Sequence, residues 1–437
     1  MKLTFISTTL LFSFFILLTP AQASFAEEKK SLTQAYQAAI ERAESIEIQK
    51  ELLIQAQENE SQAEGALLPT INGTWNRLQQ PTPSNATASA FYPSTQNLVK
   101  ITATQPLFRG LSEYAALRKT RSLSEAQTFS LLDSAKRLFF DVSTAYYQAL
   151  NLKQDLSNYK QQLQLNHQRL QELEGFIKIG RAKLTDLLTF KANIASIEAQ
   201  IEATQGQYEN AKDLIAFLTG WDRDALLEDV EKIPQAPAAL ETYLARIENR
   251  ADVQLALSNA KANEELPAIA RGAHFPSVNL LGNYYLTRPG VLSTLHWDVQ
   301  LALSFPIFQG GVIQSQLRQA QSIDRQYQLI LSQTRRSAEQ EVRTLHNLLQ
   351  ADLKQLLKLE ELVESSKKNY ETQLRYYRNG LVTNLDVLQS MTTFEDAQRL
   401  RDHQKYVIKL DSVKLQAATG GRSEIQTQPW ASSHSKP

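Results

Sequence analysis

The feature that most constrains this chain is where its prolines are absent. None lies between Pro106 and Pro234, and none between Pro306 and Pro429. Two very long stretches are therefore free of the residue that breaks helices by removing an N–H and crowding the preceding turn. In the first stretch Ala135, Val142, Ala149, Leu156, Leu163 and Leu170 recur every seven residues, with Leu132, Phe139 and Tyr146 at the complementary position. That second position turns polar at Lys153, Lys160 and His167, so the seam is strict only in its first part. In the second stretch Val342, Leu349, Leu356, Val363 and Tyr370 fall on the same heptad, 200 residues after their counterparts. Such seams predict helices packed side by side as in a coiled coil. A helix from Leu111 to about Phe176 would run roughly 100 Å at about 1.5 Å per residue.

The spacing of 200 residues is a property of the whole chain. "TQPLFRG" at 104–110 returns as "SFPIFQG" at 304–310, aligning Pro106, Phe108 and Gly110 with Pro306, Phe308 and Gly310. "GRAKLTDLL" at 180–188 returns as "GLVTNLDVL" at 380–388, aligning Gly180 with Gly380 and Asp186 with Asp386. Upstream, "ALLPTINGTWN" (66–76) resembles "AHFPSVNLLGN" (273–283). An internal duplication follows. Each half reads helix, strand, loop, strand, very long helix, glycine turn, helix. The first repeat spans 24–218, with strands at about 69–77 and 95–106, a long helix at about 111–176 and a turn at 177–185. The second spans 241–419, with strands at about 276–286 and 294–306, a long helix at about 310–378 and a turn at 379–385. A linker with Pro234 and Pro237 occupies 219–240, and a polar tail reading as flexible occupies 420–437. Shorter helical stretches at about 32–66 and 184–218, and at 239–270 and 385–418, are each near half the length of a long helix. Two such pieces stacked end to end would flank one long helix, and Pro267 is expected to kink the third of them.

The strand regions alternate. Trp297, Val299, Leu301, Leu303 and Phe305 point one way, and Asp298, Gln300, Ala302 and Ser304 the other. Val99, Ile101 and Ala103 oppose Lys100, Thr102 and Thr104, and the strands near Ile71 and Leu280 follow the same rule. One apolar and one small-polar face, with Trp and Tyr near the ends, fits a membrane barrel wall around a wet interior, and fits a soluble sheet with one buried face equally well. Four strands do not close a water-filled barrel, since single-chain barrels start at about eight; four from each of several identical chains do.

The chain begins with Lys2, an apolar run, Pro20 and "AQA" at 21–23. A basic start, an apolar core and an A-x-A site describe a secretory signal peptide over 1–23. Past it no segment approaches the roughly 18 consecutive apolar residues of a spanning helix. Without Lys2 there remain 45 basic against 46 acidic residues, a balance that argues against a nucleic-acid partner. There is no cysteine, so disulfides and thiolate metal sites are excluded. His167, His274, His296, His346, His403 and His434 are scattered. No metal-ligand pair, phosphate loop or nucleophile elbow appears. No enzyme activity, cofactor or metal is expected.

Signal peptide, duplicated halves, the "QPLFRG"/"FPIFQG" phrase and the "GRAKLTDLL"/"GLVTNLDVL" turn together resemble the TolC family of outer-membrane efflux proteins, over about residues 30–420. The resemblance implies an α+β membrane fold: a homotrimer with a twelve-stranded β-barrel, four strands per chain, continued by a long coiled-coil α-helical tunnel through the periplasm. It implies a passive exit duct of efflux or type I secretion in the outer membrane, in contact with its lipid. The partners implied are an inner-membrane transporter and a periplasmic adaptor (membrane fusion) protein. The alternative reading is a secreted structural coiled-coil protein with a soluble β cap. By the same resemblance the glycine turns form the periplasmic tip. There Asp386 would line the constriction, Tyr377 would contact Asp186, and Gly180, Gly380, Asp186 and Leu385 would meet the adaptor. Two positions depart from the family pattern: its second pore aspartate is Gln389 here, and its locking arginine is Val382. A gate with fewer charges and a different lock is implied. Pro106, Phe108, Gly110, Pro306, Phe308 and Gly310 would form the joint between barrel and tunnel.

Overall fold

Residues 29–81 and 94–420 are described by the computed structural model. The expected signal peptide, most of the 77–94 loop and the tail beyond Gly420 lie outside the described residues. The chain order is α1 (Leu32–Arg42), α2 (Glu44–Gly65), β1 (Thr70–Gln79), β2 (Thr95–Arg109), α3 (Ser112–Lys178) and α4 (Leu184–Thr219). The second half follows with α5 (Leu240–Leu244), α6 (Ala251–Glu264), α7 (Leu266–Gly272), β3 (Ser277–Thr287), β4 (Trp297–Ser304), α8 (Val312–Arg378) and α9 (Asn384–Ala418).

The two proline-free stretches become α3 and α8, each of 67 residues, or roughly 100 Å. The heptad residues face inward. Ala135, Val142, Ala149 and Leu156 are buried on α3, as are Val342, Leu349, Leu356 and Tyr370 on α8. Lys153, Lys160 and His167 are exposed, as their polarity requires. Toward the sheet, α2, α3, α6 with α7, and α8 lie side by side; toward the far end the order is α4, α3, α9, α8. Shorter helices are thus stacked end to end along the long ones.

Two of the shorter stretches are more broken than the periodicity suggests. The expected helix over 32–66 divides at Ala43, whose extended backbone ends α1 and starts α2. The bend turns α1 into the middle of α3, where Tyr36 meets Phe139 edge to face at 5.1 Å. The stretch at 239–270 splits into α5, a 3-10 turn at Ile247–Asn249, α6 and α7. Pro267 sits in the first turn of α7, where its missing N–H costs nothing. The linker lies against the waist of the molecule. Trp221 and Leu227 pack beside Tyr146 and Leu150, and Ile233 and Leu240 beside Val342 and Leu349.

The four strands form one antiparallel sheet in the order β1-β2-β3-β4. The register places like residues opposite like. Ile71 pairs with Ala103, Gly73 with Ile101, Ile101 with Tyr284, and Tyr284 with Trp297, which makes one apolar face. On the other face Asn72 pairs with Thr102, Thr102 with Asn283, and Asn283 with Asp298. Cross-strand bonds knit that polar face together. The Asn283 carbonyl accepts from Thr102 Oγ1 at 2.8 Å and Lys100 Nζ at 3.1 Å, and its amide donates to Asp298 Oδ1 at 2.8 Å. Ile71, Trp75, Trp297, Leu301 and Leu303 on the apolar face are exposed in the single chain. Among the described residues no helix is long and apolar enough to cross a membrane.

Candidate functional site at the helix tips and the joint

The two glycine turns lie together at the end of the helices remote from the sheet. Each long helix stops in the same way. Gly180 and Gly380 take φ of 71° and 77°, the left-handed conformation that glycine adopts without a Cβ penalty. Behind them Arg181 N–H donates to Phe176 O at 2.8 Å and Leu381 N–H to Tyr376 O at 2.9 Å. These bonds satisfy carbonyls that a helix end otherwise leaves open.

The next helices start differently. Thr383 and Asp386 form a full capping box. Asp386 Oδ2 accepts from Thr383 N at 2.8 Å and Thr383 Oγ1 at 2.6 Å, and Asp386 N donates back to Thr383 Oγ1 at 3.3 Å. The Thr383 hydroxyl and N–H hold the exposed Asp386 carboxyl below the usual carboxylate range, so it is ionised at neutral pH. Asp186 makes half a box: its Oδ2 accepts from Lys183 N at 3.4 Å, and lysine has no acceptor to return.

Between the turns lies a cavity of about 390 Å³, lined by Phe176, Arg181, Asp186, Tyr377, Val382 and Asn384 among others. Tyr377 stacks edge to face on Phe176 at 5.8 Å, and the Arg169 guanidinium sits 5.7 Å from its ring centre. The Tyr377 hydroxyl is buried with no hydrogen-bond partner among the described residues, and burial pushes its pKa up. The Tyr377–Asp186 contact implied by the resemblance is thus a shared cavity wall here and not a hydrogen bond. Val382 packs beside Leu173, Phe190 and Met391 in an apolar cluster. The bridging that joins the two turns falls to residues sequence reasoning did not single out. Arg181 Nη2 donates to Arg378 O at 3.2 Å, Arg378 reaches Glu172 at 3.4 Å, and the buried Arg169 also pairs with Glu172. Arg181 just after Gly180 and Arg378 just before Gly380 were the available signal. Gln389 is exposed on the first turns of α9, as is Leu385; with Ile179, Leu184 and Leu381 the latter forms an exposed apolar rim.

At the joint the two copies of the phrase differ. Pro106 lies inside β2, opposite Asn279 at a register shift, and the strand continues to Arg109. β4 ends at Ser304, before Pro306. The reason is the neighbours: β2 is paired on both sides, whereas among the described residues β4 is paired by β3 alone. Phe108 meets Phe275 edge to face at 6.4 Å, and Phe308 is 87% exposed. Gly110 and Leu111 are both left-handed, as are Gly310 and Gly311. A Cβ on Gly110 would stand 2.4 Å from Gly272 O, so that joint needs glycine twice over; one on Gly310 would meet open space. Among the described residues no group of three or more His, Cys, Asp or Glu side chains is placed to hold a metal.

The comparisons with known proteins agree with this geometry. Residues 243–421 match the family model described as outer membrane efflux protein. Outer membrane protein TolC of Escherichia coli (strain K12) is 24% identical over 358 residues, covering 76% of this chain and 71% of that protein. The probable efflux pump outer membrane protein TtgC of Pseudomonas putida is 25% identical over 390 residues, covering 83% of this chain and 77% of its own. Among solved structures, the outer membrane protein VceC of Vibrio cholerae superposes with a TM-score of 0.79 at 19% identity, covering 89% of this chain and 96% of that one. The CusC channel gives 0.80 at 19%, covering 90% and 92%. The second half of the chain thus matches the outer membrane efflux protein family, and the fold of the whole is that of the TolC-like outer-membrane channels.

Proposed function

We propose that three copies of this chain close into a passive exit duct of a tripartite efflux or type I secretion assembly. The observation that carries the reading is that the sheet and the helical layer both end in free sides, in the same order. Among the described residues β1 is bonded only to β2 and β4 only to β3; α2 and α4 flank α3 on one side, and α8 closes the other. A head-to-tail contact that joins one side of a copy to the other side of the next generates a ring when the rotation closes. Three copies of four strands supply twelve, enough for a barrel with its apolar face in lipid and its bonded polar face in water. The helices then continue as a tunnel.

In that ring Asp386 lines the periplasmic entrance, three carboxylates held close by symmetry, with Gln389 one turn on in place of a second acidic ring. Asp186 and Tyr377 form the wall behind it. The exposed rim of Leu385, Ile179, Leu184 and Leu381 around Gly180 and Gly380 is the surface offered to a periplasmic adaptor, and an inner-membrane transporter supplies the energy. The joint residues Pro106, Phe108, Gly110, Pro306, Phe308 and Gly310 mark the passage from barrel to tunnel, with exposed Phe308 covered by the neighbouring copy.

Single-channel recording in planar bilayers tests the entrance. Divalent cations block the wild-type current from the tip side, because like charges in a ring concentrate counter-ions. Asp386→Asn relieves that block by at least about tenfold in blocking concentration, roughly 1.4 kcal/mol. Block of equal strength in the variant at several salt concentrations would take Asp386 out of the pore.

A further inference from the structure

The tip half of α9 lies between α3 and α8, and on its α3 side the contacts are polar. Along α3, Asn151, Asp155, Asn158, Gln162 and Asn166 follow one another at steps of three and four, and α9 answers with Glu395, Arg399 and Asp402. Glu395 is only 8% exposed. Its Oε2 accepts from Gln162 Nε2 at 2.6 Å and its Oε1 from Asn166 Nδ2 at 3.3 Å. The fully buried Asn166 accepts in turn from Asn193 of α4 at 2.9 Å. One carboxyl therefore joins three helices. No lysine or arginine pairs with it among the described residues.

A second buried carboxyl contact joins α9 to α8. Asp352 and Asp411 approach as a pair, each 7% exposed, and the Oδ2 of each has no donor among the described residues. Gln404 Nε2 satisfies only Asp352 Oδ1, at 2.9 Å. The stretch between the two sites is charge-compensated: Asp155 faces Arg399 and His403, and Asp402 pairs with Arg401 at 2.8 Å and Lys405 at 3.1 Å. Near Glu395 the charged neighbour on α9 is Asp396, a like charge. Tyr370 of α8 feels both Glu395 and the Arg169, Glu172 and Arg378 charges. Near Asp411 the opposing charge is Lys414 among the described residues.

An ionised carboxylate buried without a cation costs more than a neutral acid that donates a hydrogen bond. We propose that Glu395, and Asp411 set against Asp352, make α9 an acid-tightened clamp: protonated, Glu395 and Asp411 hold α9 against α3 and α8, and their ionisation frees α9 so that the two tip hairpins can part. This deepens the duct reading by naming how its tip is regulated, and rests on it for the consequence at the entrance. Burial pushes the Glu395 carboxyl up to about 8. Burial, and then Asp352, push Asp411 up to about 6. Both folded values lie above the ordinary carboxylate range. The stabilisation is therefore complete below that range, and is lost as pH rises through about 6 for Asp411 and about 8 for Glu395. An acid surrounding keeps the clamp shut, a neutral one leaves Glu395 as its main hold, and an alkaline one releases both.

Hydrogen exchange of the α9 amides in the full detergent-solubilised protein, at about pH 5 and about pH 9 and corrected for intrinsic rates, tests the clamp. Wild-type α9 loses at least about tenfold more protection on going to the higher pH than the Glu395→Gln, Asp411→Asn double variant, since one pKa unit corresponds to a factor of ten. Equal losses in the two proteins overturn the proposal. Glu395→Gln and Asp411→Asn taken singly each remove part of the pH response, so a double variant that fails to fold does not remove the test. In planar bilayers the wild-type conductance rises with pH and that of the Glu395→Gln variant stays low. Wild-type exchange that responds to pH in a protein forming no channel would sink the duct and leave the clamp standing.

Discussion

Gly110 and Gly310 occupy matching places in the two halves, yet the structure assigns them different tolerances. Both are left-handed, but only Gly110 has backbone, that of Gly272, where a Cβ would go. Gly310→Ala is expected to cost about 1 kcal/mol for the left-handed conformation. Gly110→Ala adds a clash with a carbonyl that has no room to move, and should lower the thermal midpoint, followed by circular dichroism in detergent, by clearly more. Equal midpoints for the two variants would contradict the joint geometry. The same reasoning applies to Tyr377. Its hydroxyl is buried without a partner, so Tyr377→Phe should leave stability unchanged or slightly higher, while Tyr377→Ala loses the ring contacts to Phe176 and Arg169 and roughly 2 kcal/mol. At this scale the sequence was partly legible. The glycines and capping aspartates announced themselves by their repeat, because a turn between long helices needs a left-handed residue and an acceptor for the new N-terminus. The Arg169–Glu172–Arg378 bridge did not, because Arg378 reaches the Arg169–Glu172 pair from another helix, 206 residues on from Glu172.

Among the elements, α3 and α8 could be read directly, since proline absence and a heptad are both local properties. The breaks at Ala43 and around Arg250 could not, since neither site carries a helix-breaking residue. Tertiary contacts decide them. At the second break the buried Arg250 donates to Ala418 O at 3.1 Å, closing the end of α9, and pairs with Asp252 at 2.7 Å and Glu341 at 2.6 Å. It thereby staples α9 to α6 and α8 at the waist. Arg250→Ala should destabilise the protein by roughly 2 kcal/mol. That is less than the full cost of breaking a buried ion pair, because both carboxylates keep partial access to water. The last turns of α9 should then become the first part of the chain to be cut in limited proteolysis. Cutting that begins elsewhere would show that the staple is not what holds α9 in place. The seven-residue pattern also missed the polar α3–α9 face, which reads as a solvated stripe until the partner helix is seen.

For the whole molecule, alternation in the strands gave the two faces, and the register keeps them separate across all four strands. What no single chain can display is the covering of its own edges. Leu301 belongs to the apolar face and Gln300 to the polar one. Leu301→Arg should therefore cost up to about 2–4 kcal/mol where it meets lipid, and Gln300→Arg much less, seen as the yield of each variant in the outer-membrane fraction. Similar yields would put the faces the wrong way round or the sheet outside the bilayer. The central claim, that copies join edge to edge into one closed wall, is tested most directly by the protein mass of the detergent-extracted particle from light scattering corrected for bound detergent. The account predicts a particle of three chains, each at most 49.3 kDa. A particle of one chain, stable and folded with β1 and β4 both unpaired, would contradict it.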